Sequence, residues 1–585
     1  MVISSGPPGE CPLGSGALRY DSVAGRERGP DRSFAVAWLT GESILPSALS
    51  RFAWSKLRLW LLVAGSALFV FLVVVIPIAR NHGLISTDEA SWIAPAVAIV
   101  RGTGAPYVNY FDVKPPGLVF FFVPWIAVFG ASMKSLVVLD VLLLAANLSL
   151  FYYLLRRLAS PLLRDVVYGV SLVAAFGLQL FSGEFVQSET VGSVLLLLAL
   201  AAVLRFRARP QAFLLAGALC ALASQVKEVW FFCVIAFAVF ALMDTPGRWR
   251  RLASLAAGWV AMTGLVVLGL VALGAAGAYL DVLTYKGTSF PLPGLVGGAR
   301  EAVKVIRTES VAVWWLWPLL PVVLGLAFYL RVRVIGAVSA LRETLSFRDS
   351  TALLAFLTWL CLVPGYVWQN KPVQGHTFVM LFYPFVFFTT GALVYAQHAF
   401  SDPKSWRLLK PRGVVAVVLV LSLIPSSVVA AGLGDRYQEI RETPLNTLLT
   451  MESSASLQKY AVIESHLSGT GCLQVAYGWD AGAADIYTGA NPCSRYFLSD
   501  LITTRVVADE FRRDMVARPP DVIVYETDMT DMDVTWFEKT VFPYSRVLAE
   551  CYNPTDTPTV FVARYAPAEQ SRCIGDQLKL GVWGP

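Results

Sequence analysis

Three charged side chains, Asp88, Glu89 and Lys114, lie in a short stretch that follows the first long apolar segment of the chain. Asp88 and Glu89 precede apolar residues at helical spacing, and Lys114 precedes two prolines, which bias it to an extended conformation. A carboxylate at a helix N-terminus stays ionised, as a base that accepts a proton from an attacking hydroxyl must be. Because two acids and a lysine at a membrane surface are costly to keep dry, the stretch predicts chemistry on a group carried by a lipid.

These residues also have a purely structural interpretation. Ser86 and Glu89 form a capping-box pattern, so Asp88 and Glu89 could be ordinary first-turn acids of a surface helix. Lys114 could extend to lipid headgroups, as juxtamembrane lysines commonly do. A glycosidase-like carboxylate pair is disfavoured, because adjacent helix residues diverge whereas that reaction needs two acids facing each other across a sugar. One carboxylate, Asp88, would have to act as the base.

The composition is that of a polytopic membrane protein. Of the 585 residues, 56% are hydrophobic and only 15% are charged, which lies outside the range of soluble globular proteins. Apolar runs, with arginines and lysines concentrated in alternate loops, predict eleven membrane spans and a cytoplasmic N-terminus. The predicted spans are 58–79, 135–155, 165–182, 188–204, 212–225, 229–243, 252–278, 313–330, 351–367, 376–396 and 413–432.

Two short apolar segments are predicted to do something other than face lipid. The run Leu118–Gly130 contains Pro124 and is too short to cross the bilayer comfortably, so we predict an interfacial or re-entrant helix. The spans 212–225 and 229–243 are short and are separated by Lys227 and Glu228. Abbreviated spans that meet at charged residues are typical of helices lining a cavity.

Composition also divides the chain into three predicted parts. Residues 1–57 are rich in Gly, Pro, Ser and Arg and are predicted to form a disordered cytoplasmic tail. Residues 58–432 form the transmembrane domain, whose first extracytoplasmic loop, 80–134, is called the first loop below. Residues 433–585 carry a net charge of −8, against +14 for the remainder, and are predicted to form an extracytoplasmic α/β domain.

The predicted α/β domain of residues 433–585, called the outer domain below, alternates strand-like and helical runs. The strands are Cys472–Tyr477, Val522–Tyr525 and Thr559–Ala563, and the helical stretches include Ala455–Leu467 and Thr503–Ala517.

Four cysteines in this outer region could form two disulfides in an oxidising compartment. Cys472 with Cys493 and Cys551 with Cys573 is one pairing, although four cysteines allow three connectivities.

The first loop resembles that of a known enzyme family. Asp88-Glu89 opening an amphipathic helix, the run from Ala98 to Gly104 and the motif Tyr110-x-Asp-x-Lys-Pro-Pro-Gly117 are similar to the polyprenyl-phosphate-sugar-dependent membrane glycosyltransferases of GT-C type. The similarity is to the branch that holds protein O-mannosyltransferases and lipid A aminoarabinose transferases. Weaker similarities are Ser188-Glu189, Gln225-Val226-Lys227, Lys371-x-x-x-x-His376, Tyr383-Pro384, Cys472–Gly478 and Arg518–Val524.

The resemblance implies inverting sugar transfer, with Asp88 as the base and Lys114 near the donor phosphate. Lys227 and Lys371 would assist Lys114, while Glu89, Glu189 and His376 would line the substrate pocket. Glu189 also fits an ordinary helix start. His376 could bind a metal, but a lone histidine at the end of a span is more often a structural hydrogen-bonding residue. We assign no cofactor; a divalent metal stays an open alternative.

The predicted partners are a polyprenyl-phosphate-linked sugar, a glycan, lipid or protein acceptor and the lipid bilayer, without nucleic acid. The predicted location is the bacterial plasma (inner) membrane. A transporter or flippase of lipid-linked sugars is the rival hypothesis, but it predicts inverted-repeat symmetry, which the sequence lacks. A binding protein that uses only the outer domain would leave Lys114 and its prolines unexplained.

Overall fold

The computed structural model divides into two compact units, Met1–Arg58 and Leu59–Pro585. Of the first unit, only residues 48–58 are described. The predicted domain boundaries after residues 57 and 432 stay predictions. The described residues are 48–80, 85, 87–159, 186–243, 247–289, 350–368, 454–467, 471–477, 481–498, 501–526 and 534–580, with isolated positions between 161 and 172, 382 and 391, and 441 and 447.

The regular structure described before residue 433 is helical. The helices are α1 (Ala48–Arg80), α2 (Thr87–Arg101), α3 (Gly117–Phe129), α4 (Met133–Leu158), α5 (Ser188–Arg205), α6 (Pro210–Val226), α7 (Phe231–Met243), α8 (Arg248–Ala272), α9 (Ala276–Ser289) and α10 (Ser350–Trp368). Helix α3 covers almost the same residues as the predicted segment Leu118–Gly130. A 3₁₀ turn, Glu228–Trp230, separates α6 from α7.

Within the described residues, four helices are long and apolar enough to cross a membrane: α1, α4, α5 and α8. They coincide with four predicted spans. Helices α6, α7 and α10 coincide with three further predicted spans, and α10 contains the apolar helical segment Leu353–Leu362. Spans 313–330 and 413–432 lie outside the described residues, and 165–182 and 376–396 are described only at isolated positions. The count of eleven therefore stays a prediction.

The predicted span 252–278 is wrong at its C-terminal end. Helix α8 stops at Ala272, because Gly274 adopts a left-handed conformation with φ +66°. The amides of Gly274 and Ala275 donate back to the carbonyls of Val271 and Leu270, which is the Schellman termination of a helix. Helix α9 then begins as a separate element.

Helices α6 and α8 touch backbone to backbone. A Cβ added at Gly217 would lie 2.0 Å from the Leu255 carbonyl oxygen, and one at Gly258 would lie 1.9 Å from that of Leu214. Small residues permit this approach, which favours close helix packing in a bilayer. The contact fixes α6, at whose C-terminal end Lys227 lies.

The first loop contains α2 and α3, which pack against each other. The predicted helix start is confirmed: α2 begins at Thr87, with Asp88 and Glu89 in its first turn. The capping partner Ser86 lies outside the described residues. The predicted short helix is confirmed as α3, which ends where Gly130 has φ +75°.

The C-terminal region contains an α/β sheet, as predicted. The elements of this region are α11 (Ser454–His466), β1 (Cys472–Ala476), α12 (Ala481–Thr488), β2 (Asn491–Pro492), α13 (Arg505–Ala517), β3 (Val522–Tyr525), α14 (Val534–Thr540), α15 (Tyr544–Cys551), β4 (Tyr552–Pro554), β5 (Val560–Ala563) and α16 (Pro567–Leu580). The five strands of the sheet have the order β2-β1-β3-β5-β4. Strands β2, β1 and β3 are parallel, and β5 is antiparallel to both β3 and β4.

Both predicted disulfides are present. Cys472 pairs with Cys493, joining β1 to the segment after β2. Cys551 pairs with Cys573, joining α15 to α16. Of the three connectivities that the sequence left open, the structure selects this one.

Candidate active site

An ion pair joins Asp88 and Lys114, the two residues of the first loop for which the sequence predicts roles in a reaction. Lys114 Nζ lies 2.6 Å from Asp88 Oδ1 and 2.9 Å from Ser91 Oγ. The same ammonium lies 4.3 Å from the centroid of the Trp92 ring, within cation–π distance. The side chains of Asp88 and Lys114 are 49% and 30% exposed, so a ligand can reach both.

This arrangement bears on the two interpretations of Lys114. A lysine that extends to headgroups holds its ammonium away from the protein. The Lys114 ammonium instead contacts a carboxylate, a hydroxyl and an aromatic face, all on α2. The helix N-terminus and the ammonium both stabilise negative charge on Asp88. The geometry favours the site interpretation, while the catalytic roles of both residues stay predictions.

The prolines after Lys114 lead into a tight contact with α6. A Cβ added at Gly117 would lie 2.4 Å from the carbonyl carbon and oxygen of Gln225. Only glycine permits this approach, so the motif Lys-Pro-Pro-Gly brings the start of α3 against the end of α6. The Lys114 segment is thereby placed near Lys227.

A second ion pair joins Glu189 and Lys227, which belong to two different motifs of the sequence. Glu189 lies in the first turn of α5 and is buried, and Lys227 follows the last residue of α6. Their side chains form a hydrogen-bonded ion pair, and Ser188 Oγ donates to Glu189 Oε2 at 2.7 Å. The attraction to the Glu189 carboxylate therefore offsets part of the desolvation cost of the Lys227 ammonium.

A third ion pair, between Glu228 and Lys286, is absent from the sequence predictions. Lys286 lies in the last turn of α9 and also donates to the Val113 carbonyl oxygen at 3.1 Å. No motif marks this lysine. The closeness of α9 to the first loop arises from packing across 173 residues of sequence, which local patterns do not record.

Glu89, the residue after Asp88 on α2, has a different environment. Its side chain is buried and lies close enough to Asp140, a buried acid of α4, for their like charges to interact. Asp88 is partly exposed beside Lys114, whereas Glu89 faces the protein interior.

The remaining predicted site residues, Lys371 and His376, lie outside the described residues. In the part of the chain that the structure describes, no group of three or more His, Cys, Asp or Glu side chains is placed to hold a metal ion. Three aromatic residues of the first loop, Trp92, Tyr107 and Tyr110, are buried.

The outer domain contacts the first loop through the segment around Cys493. The Phe111 amide donates to the Arg495 carbonyl oxygen at 2.7 Å, and the Phe111 ring lies 4.8 Å from that of Tyr496. The Asn491 side-chain amide donates to the Thr103 carbonyl oxygen at 3.3 Å. Helix α12 also packs on α2. The outer domain therefore contributes to the position of the loop that carries Lys114.

The two disulfides allow this contribution to be measured. Each closes a loop of similar size, with sequence separations of 21 and 22, so removal of either should cost a similar ~2–4 kcal/mol of outer-domain stability. Only Cys472–Cys493 adjoins the segment that contacts the first loop. In hydrogen exchange, Cys472→Ala/Cys493→Ala should accelerate exchange at the Phe111 amide. The matched control Cys551→Ala/Cys573→Ala should change the exchange rate of the Phe111 amide much less. Equal acceleration in the two variants would show that the segment around Cys493 has no specific role in positioning the first loop.

Comparisons with known proteins find similarity among solved structures. No protein-family model matches the chain, and no curated protein matches it. Among solved structures, ArnT from Cupriavidus metallidurans bound to undecaprenyl phosphate is 14% identical, with a TM-score of 0.49, covering 87% of this chain and 98% of that chain. The Archaeoglobus fulgidus oligosaccharyltransferase in the apo form is 13% identical, with a TM-score of 0.44, covering 87% and 74%.

Proposed function

We propose that the protein transfers a sugar from a polyprenyl-phosphate donor to an acceptor hydroxyl on the extracytoplasmic side of a bacterial inner membrane. The observation that carries the proposal is the 2.6 Å contact between Asp88 Oδ1 and Lys114 Nζ. This partly exposed pair lies in a loop between two helices of membrane-spanning length, α1 and α4. A base and a cation at such a position suit a reaction whose donor is held in the bilayer.

The chemistry is a single displacement at the anomeric carbon. Asp88 accepts the proton of the acceptor hydroxyl as its oxygen bonds to that carbon, and the bond to the phosphate oxygen breaks. Polyprenyl phosphate leaves, and the sugar is transferred with inversion. Lys114 neutralises the charge that develops on the phosphate, an interaction that a low-dielectric site strengthens. Lys227 and Lys371 are proposed to assist Lys114, and Glu189 and His376 are proposed to contact the substrates.

The ion pair between Lys114 and Asp88 also bears on the order in which the donor and the acceptor bind. In the structure the ammonium binds the carboxylate that must act as the base. A donor phosphate would compete for the same three ammonium hydrogens, because the ammonium also contacts the Asp88 carbonyl oxygen at 3.4 Å and the Ser91 hydroxyl at 2.9 Å. Donor binding would thus release Asp88 to accept a proton from the acceptor. The proposal therefore predicts that the donor binds before the acceptor.

The test is an assay of purified full-length protein in lipid nanodiscs, with polyprenyl-phosphate hexoses and pentoses as donors. The expected result is time-dependent release of polyprenyl phosphate, with inverted configuration in the product by NMR. Movement of the intact lipid-linked sugar across liposomes without release of polyprenyl phosphate would overturn the proposal in favour of the flippase. Mass spectrometry of envelope glycans from a deletion strain would identify the acceptor class.

A further inference from the structure

Tyr107 has a backbone conformation that is uncommon for a residue with a large side chain. Its φ is +65°, in the left-handed region that bulky side chains normally avoid. The turn is closed by the Tyr107 amide, which donates to the Tyr110 carbonyl oxygen at 2.9 Å, and by Asn109, whose side chain accepts from the Ala105 amide. A strained residue of this kind persists only where its surroundings hold it, which points to a role.

The strained backbone directs the Tyr107 side chain inward, toward Lys114. The ring is buried and lies 4.9 Å from the ring of Tyr279 on α9. The hydroxyl donates to the Lys114 carbonyl oxygen at 2.9 Å. Burial raises the pKa of the Tyr107 hydroxyl well above its usual value, and Tyr279, Asp112 and Glu228 raise it further. The hydroxyl therefore remains a protonated donor at physiological pH.

The carbonyl that accepts this hydrogen bond belongs to a segment with few donors of its own. Pro115 and Pro116, which follow Lys114, bring no amide hydrogen to this segment. Hydrogen bonds also hold the backbone on the N-terminal side of the Lys114 carbonyl. The Lys114 amide donates to Asp112 Oδ1 at 3.2 Å, and the Val113 carbonyl accepts from Lys286.

Lys114 is thus fixed through its backbone, while its ammonium contacts α2. The ammonium stands at the end of a four-carbon side chain, so a small rotation of the backbone displaces it by a large distance. In catalysis, a misplacement of about 1 Å can cost ~10²-fold in rate.

We infer that Tyr107 is a positioning residue for the transfer reaction, which orients the Lys114 ammonium toward Asp88 and the donor phosphate by holding the Lys114 carbonyl. The inference rests on the proposed function and extends it to a residue outside the Lys-Pro-Pro motif. Tyr107 acts only through Lys114 and touches no reacting atom.

The test compares Tyr107→Phe with Tyr110→Phe in the purified protein. Both tyrosines are buried in the same loop, but the Tyr110 hydroxyl contacts Asn491 at 3.5 Å, away from Lys114. Phenylalanine keeps the ring, so both variants should fold, and the thermal midpoint is measured to check this. Tyr107→Phe should lower kcat by about 10-fold with little change in the acceptor KM, whereas Tyr110→Phe should stay near wild type. Equal kinetics for the two variants would overturn the inference.

A double-mutant cycle separates positioning from a general loss of structure. In the Lys114→Ala background, Tyr107→Phe should have almost no further effect, because the group that it positions is gone. A full additional 10-fold loss in that background would overturn the inference and leave the proposed function intact. If Lys114→Ala itself kept wild-type turnover, the proposed role of Lys114 would fail, and the role of Tyr107 with it.

Discussion

Asp88→Asn is expected to lower the turnover of the purified protein by ~10²–10⁴-fold while leaving the fold and donor binding largely intact. The amide is nearly isosteric with the carboxylate, but it cannot accept the proton of the acceptor hydroxyl. Asp88 is also partly exposed, so the substitution leaves no buried group unsatisfied. Single-turnover kinetics with a saturating donor would measure the chemical step directly.

Glu89→Gln is the matched control, because it makes the same chemical change at the next residue. Glu89 is buried and interacts with Asp140 rather than sharing the exposed position of Asp88. Its replacement should therefore cost less turnover than Asp88→Asn, and its effect should appear mainly in thermal stability. Equal activity of Asp88→Asn and wild type would remove Asp88 from the mechanism. Equal losses at both positions would indicate that the whole N-terminus of α2 is perturbed.

The parts of this site that could be predicted from sequence are those that depend on short-range patterns. The helix start beside Asp88 is a local property of the chain, and it is present in the structure as the first turn of α2. The two disulfides could be predicted because few cysteines fall in the outer domain, but the spacing of the cysteines does not decide which of them pair. The strands β1, β3 and β5 follow from short β-rich runs.

The parts that could not be predicted depend on packing between distant elements. Glu189 and Lys227 are each visible in the sequence, but their pairing requires α5 and α6 to be placed side by side. Lys286 carries no motif and reaches the first loop only because α9 packs there. Nothing in the sequence distinguishes Tyr107 from the many other aromatic residues of the chain. Its burial and left-handed backbone are consequences of the folded loop, not of its residue type.

Lys114→Ala is expected to lower kcat/KM by ~10²-fold or more, on the scale of removing one preorganised charge contact. The alanine variant leaves the charge on the departing phosphate unbalanced, and it also removes the cation that is held against Asp88, Ser91 and Trp92. Lys114→Arg should restore the activity only in part. A planar guanidinium can pair with a carboxylate, but it cannot occupy the compact position between the Ser91 hydroxyl and the Trp92 face.

Lys134→Ala is the control that separates this role from ordinary interaction with lipid headgroups. Lys134 lies in the first turn of α4, in the same loop region, and is exposed. A lysine that merely reaches headgroups should tolerate alanine with a small loss of stability and no change in donor affinity. Steady-state kinetics and donor binding on folded, purified variants would decide between the roles. If Lys114→Ala behaved like Lys134→Ala, Lys114 would be an interfacial lysine, and the donor phosphate site would have to be sought around Lys227 and Lys371.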